Sequence, residues 1–312
     1  MNMAAEKTRA PGALDGASAE AALKVQVATA EAPVDVMGTG RRGWSLGPRA
    51  NRILGLLSPL LLLALWELAS RTGILDARFF PPPTSIVGSF WRLLTHTVQG
   101  QPIESFWEVF TKGILIQDLW SSLTRIFIGF LLGAIPGLLI GLSMGLFRPV
   151  RLILRPIVSA TYPIPKLALL PLVLIIFGLG ETSKYVIIAL GTFFMVLINT
   201  MAGVMNLDKI YLDVAKNFGA SRRDFYTKVA FPGAMPLIFT GLELGMGMAL
   251  LLIVAAEMNG ANAGIGYLVW QSYAIYNLKE MYVAFIMIAA LGYAFAEGLA
   301  ALQRKIVPWK LT

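Results

Sequence analysis

The 312-residue chain has no cysteine and a single histidine, His96. Without thiols it can form neither a disulfide nor a thiolate-bound metal site. One imidazole cannot by itself complete a metal centre or a catalytic relay, so His96 reads as a polar loop residue and the chain is expected to bind no metal. No G-x-x-x-x-G-K-S/T phosphate loop occurs anywhere. With no acid–base dyad or nucleophile arrangement either, the chain reads as no enzyme and as the holder of no cofactor. Charge is scarce as well: 14% of residues are charged, against about 25% in ordinary soluble domains.

What fills the space is apolar. The sequence is 56% hydrophobic with a mean hydropathy of +0.68, the composition of an all-α polytopic membrane protein that sits in a lipid bilayer. The net charge is +8. These charges fall mainly in alternate loops, as membrane orientation requires, which argues against nucleic acid as a partner. Residues 1–40 are rich in Ala, Gly, Glu and Pro with no apolar run, and read as a disordered cytoplasmic tail without a signal-peptide core. Residues 41–312 read as one transmembrane domain.

Six spans are expected. Arg41, Arg42, Arg49 and Arg52 precede the first, Ile53 to Ser70, and place the N-terminus in the cytoplasm. The outer loop that follows carries Pro81-Pro82-Pro83 and a helix capped by Thr84 or Ser85, with Ile86, Phe90, Trp91 and Leu94 on its apolar face. A second short helix is expected over Glu104 to Lys112. The next span runs from Leu119 to Leu146, with Gly129, Gly133, Gly137, Gly141 and Gly145 at every fourth position, a stripe suited to close helix packing. The third runs from Ile157 to Leu179 and is broken by Pro163, Pro165 and Pro171. After an outer turn at Glu181 to Lys184 come Tyr185 to Met205, Ala234 to Met258 (with Gly241, Gly245 and Ala249) and Tyr282 to Leu302. Arg148, Arg151, Arg155, Arg304 and Lys305 lie on the inner side, so both termini are cytoplasmic.

The chain is organised around the polar interval from Leu207 to Pro232. Ile210, Val214 and Phe218 recur every four residues and line one face of a short helix. Gly219 sits where a helix end wants positive φ. Ser221 and Asp224 form a capping-box pattern for a second helix, and Pro232 is expected to break or kink it. An ordinary loop is the plain reading. A DNA-binding helix-turn-helix is disfavoured, because the flanking spans would pin the element against the bilayer.

Four ionisable residues lie inside spans, where charge is costly and marks a partner or a pathway. Arg125 and Glu257 are placed at similar depth near the outer side, and Lys166 and Glu243 in the inner half. Glu243 and Glu257 are expected on one face of their helix. One expectation is that Glu257 pairs with Arg125 and Glu243 with Lys166 or neighbouring polar groups; the plain alternative is that Arg125 and Glu257 snorkel separately to the outer interface, and an anion-binding role for Arg125 or Lys166 is opposed by the carboxylates beside them.

Asp213-Val214-Ala215, Gly219 and Val229-Ala230-Phe231-Pro232 resemble the EAA loop of binding-protein-dependent ABC importer permeases. Asp213, Val214, Val229 and Phe231 depart from the family's residue types, with the spacing intact. From about Phe80 to Trp309 the chain is similar to the nitrate, sulfonate, taurine and bicarbonate branch. That similarity rests on Pro163-Ile164-Pro165, Asn199-Thr200, Ala256-Glu257-Met258, Gly264-Ile265-Gly266-Tyr267 and Pro308-Trp309-Lys310. The resemblance implies a type I importer permease fold in a bacterial plasma membrane. It implies that residues 207–232 form the coupling helix that docks on a separate ABC ATPase subunit, which binds ATP and Mg. It implies a periplasmic or extracellular solute-binding protein, a permease homodimer, and import of a small organic or inorganic anion. An ATP-independent secondary transporter or channel is the alternative; no clear inverted repeat favours it.

Overall fold

The computed structural model describes residues 48–97, 100–103 and 105–309. The chain divides into two units, residues 1–58 and 59–312. Of the first, only the start of helix α1 (Pro48–Arg71) is described, and the expected tail over 1–40 lies outside the described residues. Among the described residues there is no strand, only two isolated bridges, His96 to Pro102 and Thr97 to Gly113.

The second unit is helical throughout. α2 (Pro83–Thr95) and α3 (Phe106–Lys112) precede the long α4 (Ile114–Leu146). α5 (Arg148–Thr161), a 3₁₀ turn (Lys166–Leu169) and α6 (Leu170–Phe177) follow. Then come α7 (Glu181–Met205), α8 (Lys209–Asn217), and a helical turn at Arg222–Asp224 that passes through a π-helical stretch (Phe225–Ala230) into α9 (Phe231–Met258). α10 (Ile265–Ala274) and α11 (Leu278–Ile306) close the chain. Four helices among the described residues are long and apolar enough to cross a membrane, and the α5–α6 pair, bent by 82°, makes a fifth. α1, 24 residues long, has the length for a further crossing at about 1.5 Å per residue.

The core follows from the glycine stripe. α7 lies between α4 and α9, with Ile187, Ile188, Val196 and Leu197 fully buried. A Cβ built on Gly133 would stand 2.4 Å from the Ala189 carbonyl oxygen, and one on Gly141 2.6 Å from that of Leu197. The two backbones therefore touch, which a larger residue would prevent. Gly241 and Gly245 of α9 pack on α7 mainly through side chains, a Cβ there standing 2.8 Å from the Asn199 Cβ and 3.2 Å from the Thr192 Cγ2. Both stripes are thus consumed within one chain. A second apolar cluster caps one end of the bundle (the distal end): Ile86 and Leu93 of α2, Leu115, Ile265 and Leu268 of α10, and Val283 and Ala284 of α11.

Several boundaries differ from expectation. The helix expected to begin near Ile157 begins at Arg148, where Pro149 in the first turn suits a helix start because it has no N–H to leave unpaired. Glu181–Lys184 is the first turn of α7 rather than a loop. Thr84 and Ser85 do not cap α2; the Thr84 N–H and hydroxyl both donate to Glu67 at the end of α1. Trp91, placed on the apolar face of α2, is exposed. α10 lies in the connection between the expected spans Ala234 to Met258 and Tyr282 to Leu302, where no helix is expected from the sequence. Pro232 does not end its helix: it falls in the first turn of α9, and the chain stays helical. Pro232 has no N–H for the Lys228 carbonyl, and its ring crowds that residue. The wider π-helical winding just before it, over Phe225–Ala230, accommodates both.

Candidate functional site

The first candidate site is the segment between α7 and α9. Asp208 accepts the Ile210 N–H at 3.0 Å and starts α8. Gly219 ends it at φ 65°, and the Ala220 N–H reaches back to the Ala215 carbonyl at 2.9 Å, the long bond of a Schellman stop. Ser221 then caps the next turn by accepting the Asp224 N–H at 3.1 Å. The Asp224 carboxylate does not return to the backbone as a full capping box would; it takes the Ser221 hydroxyl and Lys228 instead. Lys228 and Ser221 hold the Asp224 carboxyl below its usual range. The Phe147 and Tyr226 rings meet edge to face, 5.8 Å between centroids, which ties this segment to the α4–α5 corner at the proximal end of the bundle.

Among the described residues, nothing covers the apolar face that this capped segment presents. Ile210, Tyr211, Val214 and Phe218 are all exposed, Phe218 at 86%. Beside them is a groove of about 570 Å³ lined by Tyr211, Val214, Ala215, Val229, Pro232 and Trp309. Four of the EAA-like positions therefore share one concavity with the closing Pro308-Trp309 segment. Asp213 and Phe231 are exposed and do not line the groove. Each large apolar side chain buried by a partner there is worth about 1.5–3 kcal/mol, so the surface has the chemistry of a docking face.

The second constellation lies at the distal end, with Asp118, Ser122, Arg125, Lys184 and Glu257 buried and Glu181 half-exposed. Arg125 donates Nε and Nη2 to the two Glu181 oxygens at 2.6 and 2.7 Å. Its Nη1 donates to Glu257 at 2.8 Å and to the Ala263 carbonyl at 2.6 Å. Glu257, only 1% exposed, also accepts the Ser122 hydroxyl at 2.8 Å and the Gly266 N–H at 2.8 Å. Asp118 accepts the Gly264 N–H at 2.7 Å and Ser122 the Ile265 N–H at 2.8 Å. Three successive N–H groups at the start of α10 are thus satisfied by side chains of α4 and α9, where negative charge also suits the helix dipole. Lys184 closes the set, donating to the Leu179 and Gly180 carbonyls at 3.2 and 3.1 Å beside Glu181. Gly264 is obligatory: its φ is 126°, and a Cβ would lie 2.4 Å from the Glu257 carboxyl carbon.

Of the four intramembrane charges singled out in the sequence, the structure brings together Arg125 and Glu257. It does not bring together Lys166 and Glu243. Lys166 turns its ammonium onto the Thr161, Tyr162 and Ile164 carbonyls at 3.0, 3.0 and 2.9 Å, and lies 4.3 Å from the Phe194 ring centre. The carbonyls released by the proline break outcompete a distant carboxylate. Glu243 is exposed, with no hydrogen bond or ion pair among the described residues. Glu243 and Glu257 stand 14 residues apart, within about 40° of one another around the axis, yet their surroundings differ: Glu257 is buried and Glu243 is exposed. Asp118, Ser122, Glu181 and Lys184 escaped the sequence reading. Asp118, Ser122 and Arg125 at spacings of four and three on one helix face were the available signal.

Comparison with known proteins places these features. Residues 137–310 match the family described as binding-protein-dependent transport system inner membrane component. The chain is 34% identical to the taurine transport system permease protein TauC of Escherichia coli over 85% of this chain and 92% of that one. It is 32% identical to a putative aliphatic sulfonates transport permease protein SsuC of Bacillus subtilis, covering 94% of this chain and 97% of the relative. It is 31% identical to the nitrate import permease protein NrtB of Synechococcus elongatus, covering 75% and 81%. Among solved structures, the MetNI methionine ABC transporter in an inward-facing conformation shares the fold, with a TM-score of 0.51 and 18% identity, covering 62% of this chain and 96% of that one.

Proposed function

The chain belongs to the family of binding-protein-dependent transport system inner membrane components and is a permease subunit of an ABC importer, and from that premise we propose that two copies of it enclose the pathway for a small oxyanion in a bacterial inner membrane. The taurine, aliphatic sulfonate and nitrate permeases among its relatives support that substrate class. Residues 207–232 are the coupling segment, and they dock on separate ATPase subunits where ATP and Mg bind. The observation that carries this is the exposed face of Ile210, Tyr211, Val214 and Phe218, framed by the Asp208, Gly219 and Ser221 caps and uncovered among the described residues. A solute-binding protein delivers the anion at the distal end. Both termini then lie on the cytoplasmic side with the coupling segment. A homodimer is supported by α5, which has no buried residue in the single chain.

In this reading the ATPase dimer closes and draws two coupling segments together. The backbone-tight block of α4, α7 and α9 transmits that movement, because helices in glycine-mediated contact cannot slide past one another without clashing. The experiment is reconstitution with the ATPase and binding protein, followed by ATP-dependent uptake of labelled taurine and nitrate and native mass spectrometry of the complex. Two copies of this chain and ATP-dependent uptake are expected. Assembly with one copy, or uptake that runs without the ATPase, would overturn the proposal.

A further inference from the structure

Both basic groups that the sequence offered for an anion are already engaged, Arg125 by two carboxylates and a carbonyl, Lys166 by three carbonyls. The positive charge available to a passing solute lies on α5. Arg148, Arg151, Arg155, Ser159 and Tyr162 follow one another at spacings of three or four residues, so they occupy one arc about 80° wide. Val150, Ile153, Leu154, Ile157 and Ala160 fill the opposite side. No carboxylate pairs with any of the three arginines among the described residues; Arg151 makes only a long 3.4 Å bond to the Gly145 carbonyl.

This helix climbs into the bilayer rather than lying beneath it. Its first residue adjoins the proximal end of α4, while Tyr162 at its far end meets the Phe194 ring, 6.4 Å between centroids. Phe194 is next to the midpoint of α7 (Glu181–Met205). Arg155 therefore stands about 10 Å above the start of α5 at 1.5 Å per residue. A guanidinium with no partner at that depth faces a water-filled space rather than hydrocarbon. The chain also breaks at Tyr162–Pro165, and irregular backbone at membrane depth is tolerated where it lines such a cavity.

We propose that Arg148, Arg151 and Arg155 form a basic stripe along an aqueous vestibule that opens at the proximal end and draws the solute oxyanion from the broken segment toward the cytoplasm. Ser159 and Tyr162 extend the stripe with hydroxyl donors up to the break. The proposal rests on the oxyanion-permease reading above and assigns its exit path to specific residues.

The native chain has no cysteine, so single thiols can be placed without background. Ser159→Cys on the stripe and Ile157→Cys on the opposite face are made in the full importer and exposed in inside-out vesicles to anionic and cationic methanethiosulfonate reagents. Ser159→Cys should react faster than Ile157→Cys, and should prefer the anionic reagent by about tenfold or more after normalisation to a free thiol, as field focusing in a basic cleft requires. That preference should disappear when Arg151→Gln and Arg155→Gln are added and return with Arg151→Lys and Arg155→Lys. Equal reactivity of the two positions, or no charge preference, overturns the proposal. Preference that exists in anionic-lipid vesicles and vanishes in pure phosphatidylcholine also overturns it, since the arginines would then be holding lipid phosphate. If the labelling preference holds while the wild-type importer moves neither taurine nor nitrate, the substrate reading falls and the basic vestibule stands.

Discussion

Exchanging the two buried charges, Arg125→Glu together with Glu257→Arg, is expected not to restore what either single substitution destroys. Each single change leaves a buried charge facing its own kind, a loss of about 3–5 kcal/mol. The exchange returns their mutual attraction, but the surroundings are not symmetric. The new carboxylate at position 125 would face Glu181, which now presents both oxygens to the guanidinium at 2.6 and 2.7 Å. The new cation at position 257 would face the Gly266 N–H, now 2.8 Å from the Glu257 carboxylate, at the positive end of α10. Three charge-assisted hydrogen bonds at about 1.5–3 kcal/mol each are lost in the exchange, so the double variant remains at least about 4–5 kcal/mol short of the native protein. Glu257→Gln keeps an acceptor for Ser122 and Gly266 and should lose less. The assay is thermal melting of the purified protein in one detergent, read by fluorescence-detected size exclusion. The expected order is native, then Glu257→Gln, then the single and double charge variants together. A double variant that melts like the native protein would refute the argument that the neighbours, rather than the pair, set the stability.

Gly264→Ala should lower the melting temperature strongly, since the new Cβ would meet the Glu257 carboxyl at 2.4 Å on a backbone held at φ 126°; Gly260→Ala, in ordinary backbone, is the control. Gly133→Val should abolish stable membrane expression, because the Ala189 backbone stands where its side chain would go. Gly219→Val puts a β-branched residue at φ 65°, and should cut ATP-driven uptake at least tenfold while the protein still reaches the membrane; native uptake in that variant would remove the coupling argument. The Asp224 carboxyl is held low by Lys228 and Ser221, so the support its contacts with those two side chains give the turn is present above the unfolded carboxylate pKa and is lost as pH falls through the lower folded value. Amide exchange over residues 222–230 should therefore stay slow from neutrality down to about pH 4 and accelerate below it.

Much of the molecule could be read locally. The apolar runs, the four-residue glycine stripes, the proline break and the Gly219–Ser221 turn are all properties of neighbours within a few residues, where period and backbone preference decide. The EAA-like spacing is of the same kind, since it depends on residues along one segment. The depth match of Arg125 and Glu257 was legible because helical rise converts sequence position into height. Which competing groups stand near each charge was not, and for that reason the Glu243 pairing failed, Lys166 being held by the Thr161, Tyr162 and Ile164 carbonyls, while the Glu257 pairing did not.

The sequence by itself therefore determined that this is a helical membrane protein with a structured polar turn. Only the tertiary structure decided which polar groups meet. α10 could not be seen because its N-terminus is stabilised by Asp118, Ser122 and Glu257, residues of two other helices 146, 143 and 9 positions away from the N–H groups they hold. Lys166 could not be assigned because its partners are carbonyls freed by a break whose angle the sequence does not specify. Inside a membrane a buried charge must be satisfied by whatever the fold brings within about 3 Å, and which groups come that close is a matter of helix rotation and crossing, not of order along the chain.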